Sequence, residues 1–468
     1  MTVRRPTRRT TRPTVGIVGL GYMGLATGLA FAARGLSVHA FDIKPEIRAA
    51  VAAGRTPYHE AGLARLLQDQ LRAGRFGVVD SVATLAERSE GLFLCVPTPS
   101  RPNGEIDLGP LRRSAEEVAE ALRPVRGFRL VVVKSTVVPG TTESVVAPIV
   151  SERSGRTGAG LGIASNPEFL AEGTMVRDAV EPARIVIGTS DARSRAWLER
   201  AYRPFRAPVF ALTPSGAELV KYASNSFLAL KVSFANEIAR LSDRLGVNVD
   251  AVIQAVGHDP RIGDRFLKAG PGFGGSCFDK DVRALVHRAE ELGDRFRSGD
   301  AALRINDDQL AYVLDRVRSA VGPLRGKRIA LLGLAFKDGT DDVRESRAIP
   351  IAEALFSEGA TVRAHDPVAV ENFRRAWTPP NGTGAGELVL VATVPEALEG
   401  ADAAVLQAAW PEYLRWPGAW TRRMRVPLLL DLRRALDRGR ARRVGLTVIG
   451  LGAGDPAGTP PPRPGASP

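Results

Sequence analysis

A glycine-rich turn between a strand and a helix, near the start of the chain, constrains the fold more than any other feature. The segment TVGIVGLGYMG opens with β-branched apolar residues and ends in Gly19, Gly21 and Gly24, after which LATGLAFAARG has helical spacing. SVHAFDI follows as a second strand and completes a βαβ unit. Glycines at this spacing let a pyrophosphate approach the amino end of the helix. The turn therefore predicts a dinucleotide-binding domain.

Asp42 ends the second strand of this unit. A carboxylate at that position accepts hydrogen bonds from a ribose diol and repels a 2′-phosphate, so NAD is favoured over NADP. The alternative is a glycine turn that only packs a helix against a sheet. It is less favoured because the turn lies between a strand and a helix, as a dinucleotide site requires.

The alternation of apolar runs with helical stretches indicates an α/β protein. We predict two Rossmann-like doubly wound domains joined by a long central helix and a helical middle domain. The long helix is expected from Ser215 to about Val256, because its apolar residues keep a helical rhythm far beyond the average length. The predicted divisions are a disordered basic tail (1–13), an NAD-binding domain (14–205), a central helical dimerisation domain (206–319), a second α/β domain (320–450) and a disordered Pro/Gly-rich tail (451–468).

Composition argues against several functional classes. The net charge is +13, yet five of the arginines lie within the first twelve residues, and no basic run is interleaved with aromatics, so we predict no nucleic-acid partner. Apolar runs are interrupted by Gly, Arg or Pro, which predicts a soluble protein without a membrane span. Two distant cysteines and five scattered histidines predict no disulfide framework, no metal site and a reducing, cytoplasmic location.

Cys277 is the candidate nucleophile. It follows a loop with four glycines in KAGPGFGGSCFDKD, and Lys280 and Asp281 come three and four residues after it. A lone cysteine is more often an inert apolar residue, but this one lies in a polar, glycine-cleared setting that suits an activated thiol. Cys95, at the end of the apolar run LFLCVP, is instead predicted to lie in the core.

Two further pairs are candidates for chemistry. Lys221 and Asn225 are four residues apart on the predicted long helix, so one turn separates an ammonium and an amide that are suited to stabilise an oxyanion. Glu168 and Glu172 have the same spacing after a strand, which suits acid/base chemistry or sugar binding. A solvated helix face and ordinary capping are the respective alternatives.

Taken together, these segments resemble the UDP-glucose/GDP-mannose dehydrogenase family. The resemblance runs from Thr14 to about Gly450 through segments in the family's order, namely GLGYMG, CVPTPSRPNGEIDL, VVVKSTVVPGTT, NPEFLAEGTMVRD, ELVKYASNSFLA, GPGFGGSCFDKD and GLAFKDGTDDVRES. The loop ending in GGSCF is most similar to the UDP-glucose 6-dehydrogenase branch. GDP-mannose and UDP-N-acetylhexosamine 6-dehydrogenases are the alternatives.

The resemblance implies a four-electron oxidation of a nucleotide sugar with NAD, through a thiohemiacetal and a thioester on Cys277. Lys221 and Asn225 would hold the substrate oxygen, and Asp281 would act near the thiol and water. Thr136 and Glu172 would position the hydrolytic water. The other enzymes that share the two-domain plan, simple hydroxyacid dehydrogenases, have no use for such a thiol, and a non-catalytic sugar-nucleotide sensor would not need all four groups.

The resemblance also implies binding residues for each ligand. Those for the cofactor are Gly19, Gly21, Tyr22, Met23, Gly24, Asp42, Thr98, Thr136, Glu172, Lys280 and Arg344. Those for the nucleotide sugar, which the second α/β domain helps to bind, are Glu168, Phe169, Leu170, Lys221, Asn225, Arg261, Lys268, Gly274, Lys337 and Arg433. Arg261 would come from a neighbouring subunit of a homodimer or higher oligomer, and Arg433 is the weaker match because Arg434 adjoins it.

Two positions depart from the family's pattern. Asp279 replaces a common proline after the nucleophile, and Ile47 replaces a basic residue near Asp42. Lys44 or Arg48 would then have to supply any basic contact near the ribose.

Overall fold

The computed structural model describes residues 12–380 and 386–454. The predicted tails, 1–13 and 451–468, lie for the most part outside these residues. The chain divides into two compact units, with the boundary between Ala223 and Ser224. That boundary falls inside one long helix, so the same helix contributes residues to both units.

The first unit is built on an eight-stranded sheet. Its order is β3-β2-β1-β4-β5-β6-β7-β8, and all neighbouring pairs are parallel except β6 with β7. The strands are β1 (Thr14–Val18), β2 (Ser37–Phe41), β3 (Phe76–Val78), β4 (Gly91–Leu94), β5 (Arg129–Val133), β6 (Leu161–Ser165), β7 (Ile185–Gly188) and β8 (Val209–Leu212).

Helices follow most strands of this sheet. They are α1 (Tyr22–Ala33), α2 (Pro45–Ala52), α3 (Leu63–Arg72), α4 (Val82–Arg88), α5 (Gly109–Leu122), α6 (Ala147–Ser154), α7 (Met175–Val180) and α8 (Ala192–Tyr202), with a π-helical turn at Thr142–Val146 and 3-10 turns at Gly158–Gly160 and Arg203–Phe205. Alternate residues of β5 join two separate apolar clusters, Leu130 and Val132 one and Val131 and Val133 the other. The sheet is therefore covered on both faces, as a doubly wound fold requires.

The predicted long helix is confirmed as α9 (Pro214–Leu245), but its predicted end was wrong. Gly246 adopts φ +67°, a left-handed conformation that ends helices, and a separate helix, α10 (Val249–Gly257), starts after Asn248. The Asn248 side chain accepts a hydrogen bond from the Asp250 amide and caps the new helix. The apolar rhythm continues across this break, which is why the sequence suggested one helix.

The second unit contains further helices and a six-stranded parallel sheet of order β11-β10-β9-β12-β13-β14. The strands are β9 (Arg328–Leu332), β10 (Thr361–His365), β11 (Glu387–Leu390), β12 (Ala403–Leu406), β13 (Leu428–Asp431) and β14 (Thr447–Gly450). The helices after α10 are α11 (Phe278–Glu291), α12 (Arg297–Val321), α13 (Ala348–Ser357), α14 (Val370–Ala376), α15 (Val394–Leu398), α16 (Pro411–Arg415), α17 (Gly418–Thr421) and α18 (Arg438–Arg443).

The two sheets confirm the predicted α/β class with two Rossmann-like domains and helices between them in the sequence. Among the described helices, none has both the length and the apolar character that crossing a membrane would take.

Candidate active site

The glycine turn after β1 has room for a phosphate. Gly19 has φ +96°, and a Cβ there would lie 2.6 Å from the Cys95 carbonyl oxygen, so the turn itself requires this glycine. A Cβ at Gly21, by contrast, would meet no atom within 4 Å. Because packing within the protein does not require a glycine at that position, the space beside Gly21 fits the close approach of a dinucleotide pyrophosphate.

Asp42 lies directly beside this turn. Its Oδ2 accepts a hydrogen bond from the Leu20 amide (2.7 Å), and its Oδ1 accepts one from the Lys44 amide (2.9 Å). The Arg48 guanidinium donates to the Asp42 carbonyl oxygen (2.7 Å), so Arg48 is the basic residue that packs here in place of Ile47. These contacts hold a half-buried carboxylate at the end of β2, where a ribose diol is expected.

Two residues that the sequence analysis missed hold this turn and the segment after Glu172, respectively. The Tyr58 hydroxyl donates to the Gly21 carbonyl oxygen (2.7 Å), and the Tyr58 ring stacks on Tyr22 with centroids 4.0 Å apart. The Glu60 carboxylate accepts hydrogen bonds from the amides of Gly173 (2.7 Å) and Met175 (2.9 Å), directly after Glu172. Tyr58 and Glu60 belong to PYHE, a short segment without helical or strand periodicity, so nothing in the pattern singled them out.

Thr98 and Thr136 meet at the carboxyl edge of the first sheet. The Thr98 hydroxyl donates to the Thr136 carbonyl oxygen (2.8 Å), which joins the loops that follow β4 and β5. Ligands of open α/β sheets bind at this edge. Tyr22 and Met23, in the first turn of α1, and Glu172, half-buried before α7, are presented by segments at the ends of β1 and β6.

Lys221 and Glu168 form a buried ion pair. The Lys221 ammonium lies 2.7 Å from Glu168 Oε1, and each side chain is about 5% exposed or less. The ammonium also lies 5.7 Å from the centroid of the Phe169 ring, and the Leu170 amide donates to Glu168. The structure thus brings four of the predicted residues together on α9 and on the segment after β6.

Cys277 lies at the amino end of α11 and is exposed, as an attacking thiol must be. The Asp281 amide donates to the Cys277 carbonyl oxygen (2.9 Å), which fixes the first helical turn. The Asp281 side chain is 1% exposed, with the Asn225 amide donating to it at 2.7 Å and the Lys280 ammonium in close contact. The thiol therefore lies at the partially positive end of the helix dipole, with the Lys280–Asp281 ion pair in the first turn of the helix.

The glycines before Cys277 are required by close packing within the second unit. A Cβ on Gly274 would lie 2.3 Å from the Glu345 carbonyl oxygen, and the Gly275 amide donates to the Arg344 carbonyl oxygen (3.1 Å). These glycines therefore let the loop pack closely against the protein's own segment after β9. That segment carries Arg344, whose guanidinium is paired with Asp342 at 2.6 Å.

The predicted nucleotide-sugar residues of the second unit are divided between half-buried and exposed positions. Arg433 donates to the carbonyl oxygens of Phe336 (2.6 Å) and Gln407, and burial lowers the pKa of its guanidinium to about 10. Arg434 instead pairs with Asp250 (2.7 Å), so of the two adjacent arginines Arg433 is the one beside the loops after β9 and β12. Lys337 follows Phe336, with its ammonium 5.4 Å from that ring. Arg261, paired with Asp259 at 2.6 Å, and Lys268 are exposed.

The second cysteine is excluded as a nucleophile. Cys95 is 7% exposed within the first apolar cluster, and burial raises the pKa of its thiol to about 12. Within the described part of the chain, the His, Cys, Asp and Glu side chains form no group that could hold a metal ion.

Comparison with known proteins identifies the family of this chain. The sequence matches the NAD binding domain of the UDP-glucose/GDP-mannose dehydrogenase family over residues 13–206, the central domain over 215–308 and the UDP binding domain over 330–438. It is 40% identical to the UDP-glucose 6-dehydrogenase AglM of Haloferax volcanii, over 91% of this chain and 97% of that protein.

The chain is also similar to solved structures of nucleotide-sugar dehydrogenases. A UDP-glucose dehydrogenase from Pyrobaculum islandicum is 38% identical with a TM-score of 0.87, covering 96% of this chain and 99% of that one. A UDP-D-ManNAc dehydrogenase from Pyrococcus horikoshii is 30% identical with a TM-score of 0.81, covering 94% and 100%.

Proposed function

Because this chain belongs to the UDP-glucose/GDP-mannose dehydrogenase family, we propose that it oxidises UDP-glucose to UDP-glucuronate. The chain is an NAD-dependent oxidoreductase with a nucleotide-sugar substrate, as the sequence analysis predicted. The observation that carries the proposal is the exposed Cys277 at the amino end of α11, with Asp281, Asn225 and Lys280 joined one turn away. A simple alcohol dehydrogenase has no use for such a thiol.

NAD, which the turn around Gly21 and the Asp42 carboxylate would hold, would accept one hydride in each oxidation, so two molecules of NAD are reduced in succession. After the first oxidation, the Cys277 thiolate adds to the C6 aldehyde carbon and the aldehyde oxygen becomes a thiohemiacetal oxyanion. The Lys221 ammonium and the Asn225 amide stabilise that charge. Loss of the second hydride leaves a thioester, which a water positioned by Thr136 and Glu172 hydrolyses, with the thiolate as leaving group.

Asp281 is held ready to act beside the thiol. Its carboxylate is joined to both the Asn225 amide and the Lys280 ammonium, so its orientation is fixed one turn from Cys277. Lys221 and Glu168 hold each other in the same way in the first unit. Pre-ordered charged groups of this kind need not reorganise as the charge on the substrate develops.

We expect two NADH for each nucleotide sugar consumed, because the thiol lets the aldehyde be oxidised as well. NADH absorbance at limiting UDP-glucose measures the ratio. The same assay with GDP-mannose and UDP-N-acetylhexosamines tests the alternative substrates, of which the family relationship to a UDP-D-ManNAc dehydrogenase favours the latter. A ratio of one NADH per sugar would show that the enzyme is a simple dehydrogenase. Faster turnover of another nucleotide sugar would show that UDP-glucose is not the preferred substrate.

We further propose a homodimer formed through α9. Phe227, Phe234 and Leu241 are spaced by seven residues and are 61%, 43% and 52% exposed, so they form an apolar stripe on one helix face. Phe234→Glu is expected to shift the enzyme toward monomers in light scattering after gel filtration. Leu292→Glu, at an exposed leucine outside the stripe, is the matched control. A dimer that persists with Phe234→Glu would place the interface elsewhere.

The proposed location is the cytoplasm, where NAD and nucleotide sugars are both available and where thiols such as Cys277 stay reduced.

A further inference from the structure

Glu218 is a buried carboxylate that the proposed mechanism does not use. It is 2% exposed and lies on α9, three residues before Lys221 and on the same side of the helix. Its Oε2 accepts a hydrogen bond from the Gly140 amide (2.7 Å), and its Oε1 accepts from the amide (2.9 Å) and the hydroxyl (2.5 Å) of Thr142. One side chain of α9 therefore binds one short segment of the chain at three points.

That segment is the loop that carries Thr136. Its first part is held at the carboxyl edge of the sheet, since the Ser135 hydroxyl donates to the Val96 carbonyl oxygen (2.6 Å) and Thr98 donates to the Thr136 carbonyl oxygen. Its last part turns sharply at Gly140, which has φ +99°, and is held there by Glu218. Thr136 thus lies on a loop fixed at one end by the sheet and at the other by α9.

The start of the following helix is irregular in a way that suits a positioning role. Residues Thr142–Val146 form a π-helical turn before α6, and such turns occur often at functional sites. Glu218 binds at this turn. A second contact joins the same elements at the surface, where the Ser215 hydroxyl donates to the Glu143 carboxylate. Ser215 is therefore a matched control for contact between α9 and this helix.

The carboxylate is kept at this position against an electrostatic cost. Burial raises the pKa of Glu218 to about 7, although its three hydrogen bonds act in the opposite direction. Glu143, the charged group that faces it from the π-helical turn, raises the pKa further. A carboxylate can accept from all three donors, whereas a glutamine would turn an amide NH₂ toward one of them.

We infer that Glu218 is a positioning residue that fixes the Thr136 loop relative to the helix turn carrying Lys221. The inference rests on the proposed function, in which Thr136 helps to place the water that hydrolyses the Cys277 thioester. Glu218 touches no reacting group. It acts through the backbone of the loop, so its loss should slow hydrolysis more than it weakens the binding of either substrate.

Glu218→Gln tests this, because it keeps the shape but presents an amide NH₂ to one of the donors. We expect kcat to fall by on the order of 10- to 100-fold, as misplacements of about an ångström do, with KM for NAD and UDP-glucose within about threefold. An acyl adduct on Cys277 should accumulate during turnover and be visible by intact-protein mass spectrometry. Ser215→Ala should show neither effect.

The pH dependence gives an independent measurement. The rate of the wild-type enzyme should fall as pH drops through about 7, because protonation weakens the acceptor that holds the loop. Glu218→Gln should lack this limb. The contribution of Glu218 to folding stability depends on pH in the opposite direction from its contribution to the rate. A carboxyl group whose pKa is 4.5 when unfolded and about 7 when folded loses its contribution to stability as pH rises. The thermal midpoint of Glu218→Gln relative to wild type should therefore rise between pH 5 and pH 8.

A wild-type rate and pH profile in Glu218→Gln would overturn the inference. So would a loss of rate without accumulation of the adduct, which would mark a purely structural role. Normal acid production by Cys277→Ser would instead remove the thioester from the proposed mechanism. The pH limb assigned to Glu218 is measured from the rate alone, so it distinguishes that failure from a failure of the inference.

Discussion

Replacing Cys277 by serine should lower the production of the sugar acid by at least about 10³-fold, because a hydroxyl without an activating base is a poor nucleophile. In the proposed mechanism, the exposed thiol at the amino end of α11 is the group that the second oxidation requires. The first oxidation does not need it, so a small amount of aldehyde and NADH should still form. Chromatography of the nucleotide sugars with mass detection separates the alcohol, aldehyde and acid.

Cys95→Ala is the matched control for that variant. It removes the other thiol, which is buried and whose pKa is raised to about 12, while keeping the Cβ that packs near Gly24. We expect its acid production to stay within about threefold of wild type, since that thiol reaches no substrate. Normal acid production by Cys277→Ser would remove Cys277 from the mechanism. The same conclusion would follow if Cys95→Ala lost acid production and Cys277→Ser did not.

The fold could be predicted from the sequence wherever strands were long and apolar. β4, β5, β6 and β7 each coincide with a continuous apolar run, as expected for parallel strands buried on both faces. Two strands of the first sheet have no such buried run. β3 has only three residues, and β8 is an edge strand whose exposed Phe210 gives no clear pattern. Short strands at sheet edges are defined by pairing with a neighbour, which a local pattern does not reveal.

The site was predictable where a motif carries the chemistry, and less so where a contact comes from a distant segment. Gly21, Asp42 and Cys277 follow from spacing and local context. Glu218 and Glu60 do not, because each is a single carboxylate whose role depends on backbone amides about 76 and 115 positions away in the sequence. Hydrogen bonds from a side chain to a remote backbone leave no periodic signal, so only the folded chain reveals them.

The two sheets also show how one turn geometry serves two purposes. In the first unit, Gly19 has φ +96° and the Leu20 amide donates to Asp42. In the second, Gly333 has φ +95° and the Leu334 amide donates to Asp366 at 2.8 Å.

The two carboxylates then differ. Asp366 is 3% exposed and also accepts hydrogen bonds from the Trp410 ring and from the amides of Ala335, Val368 and Ala369. A carboxylate with so many donors has no capacity left for a ribose diol, whereas half-buried Asp42 does. The pattern of a strand followed by a glycine turn occurs in both units. It therefore indicates a repeated fold, but not a second dinucleotide site of the same kind.

Lys221→Met should lower kcat/KM by about 10²- to 10³-fold, because in the proposed mechanism its ammonium stabilises the oxyanion in both tetrahedral species. It should also destabilise the protein by about 3 kcal/mol, since it leaves the Glu168 carboxylate buried without its partner at 2.7 Å. Steady-state kinetics and the thermal midpoint measure the two losses separately. A folded variant with nearly normal kcat/KM would exclude Lys221 from the chemistry.

The double variant Lys221→Met/Glu168→Gln separates the loss of chemistry from the loss of stability. Because the glutamine is neutral, it no longer needs a buried counter-charge, so the thermal midpoint should recover most of what the single variant loses. The rate should not recover, since the missing ammonium acts on the substrate oxygen. If activity and thermal midpoint instead recovered together, Lys221 would serve only to neutralise Glu168, and the oxyanion would have to depend on Asn225, held by Asp281 at 2.7 Å.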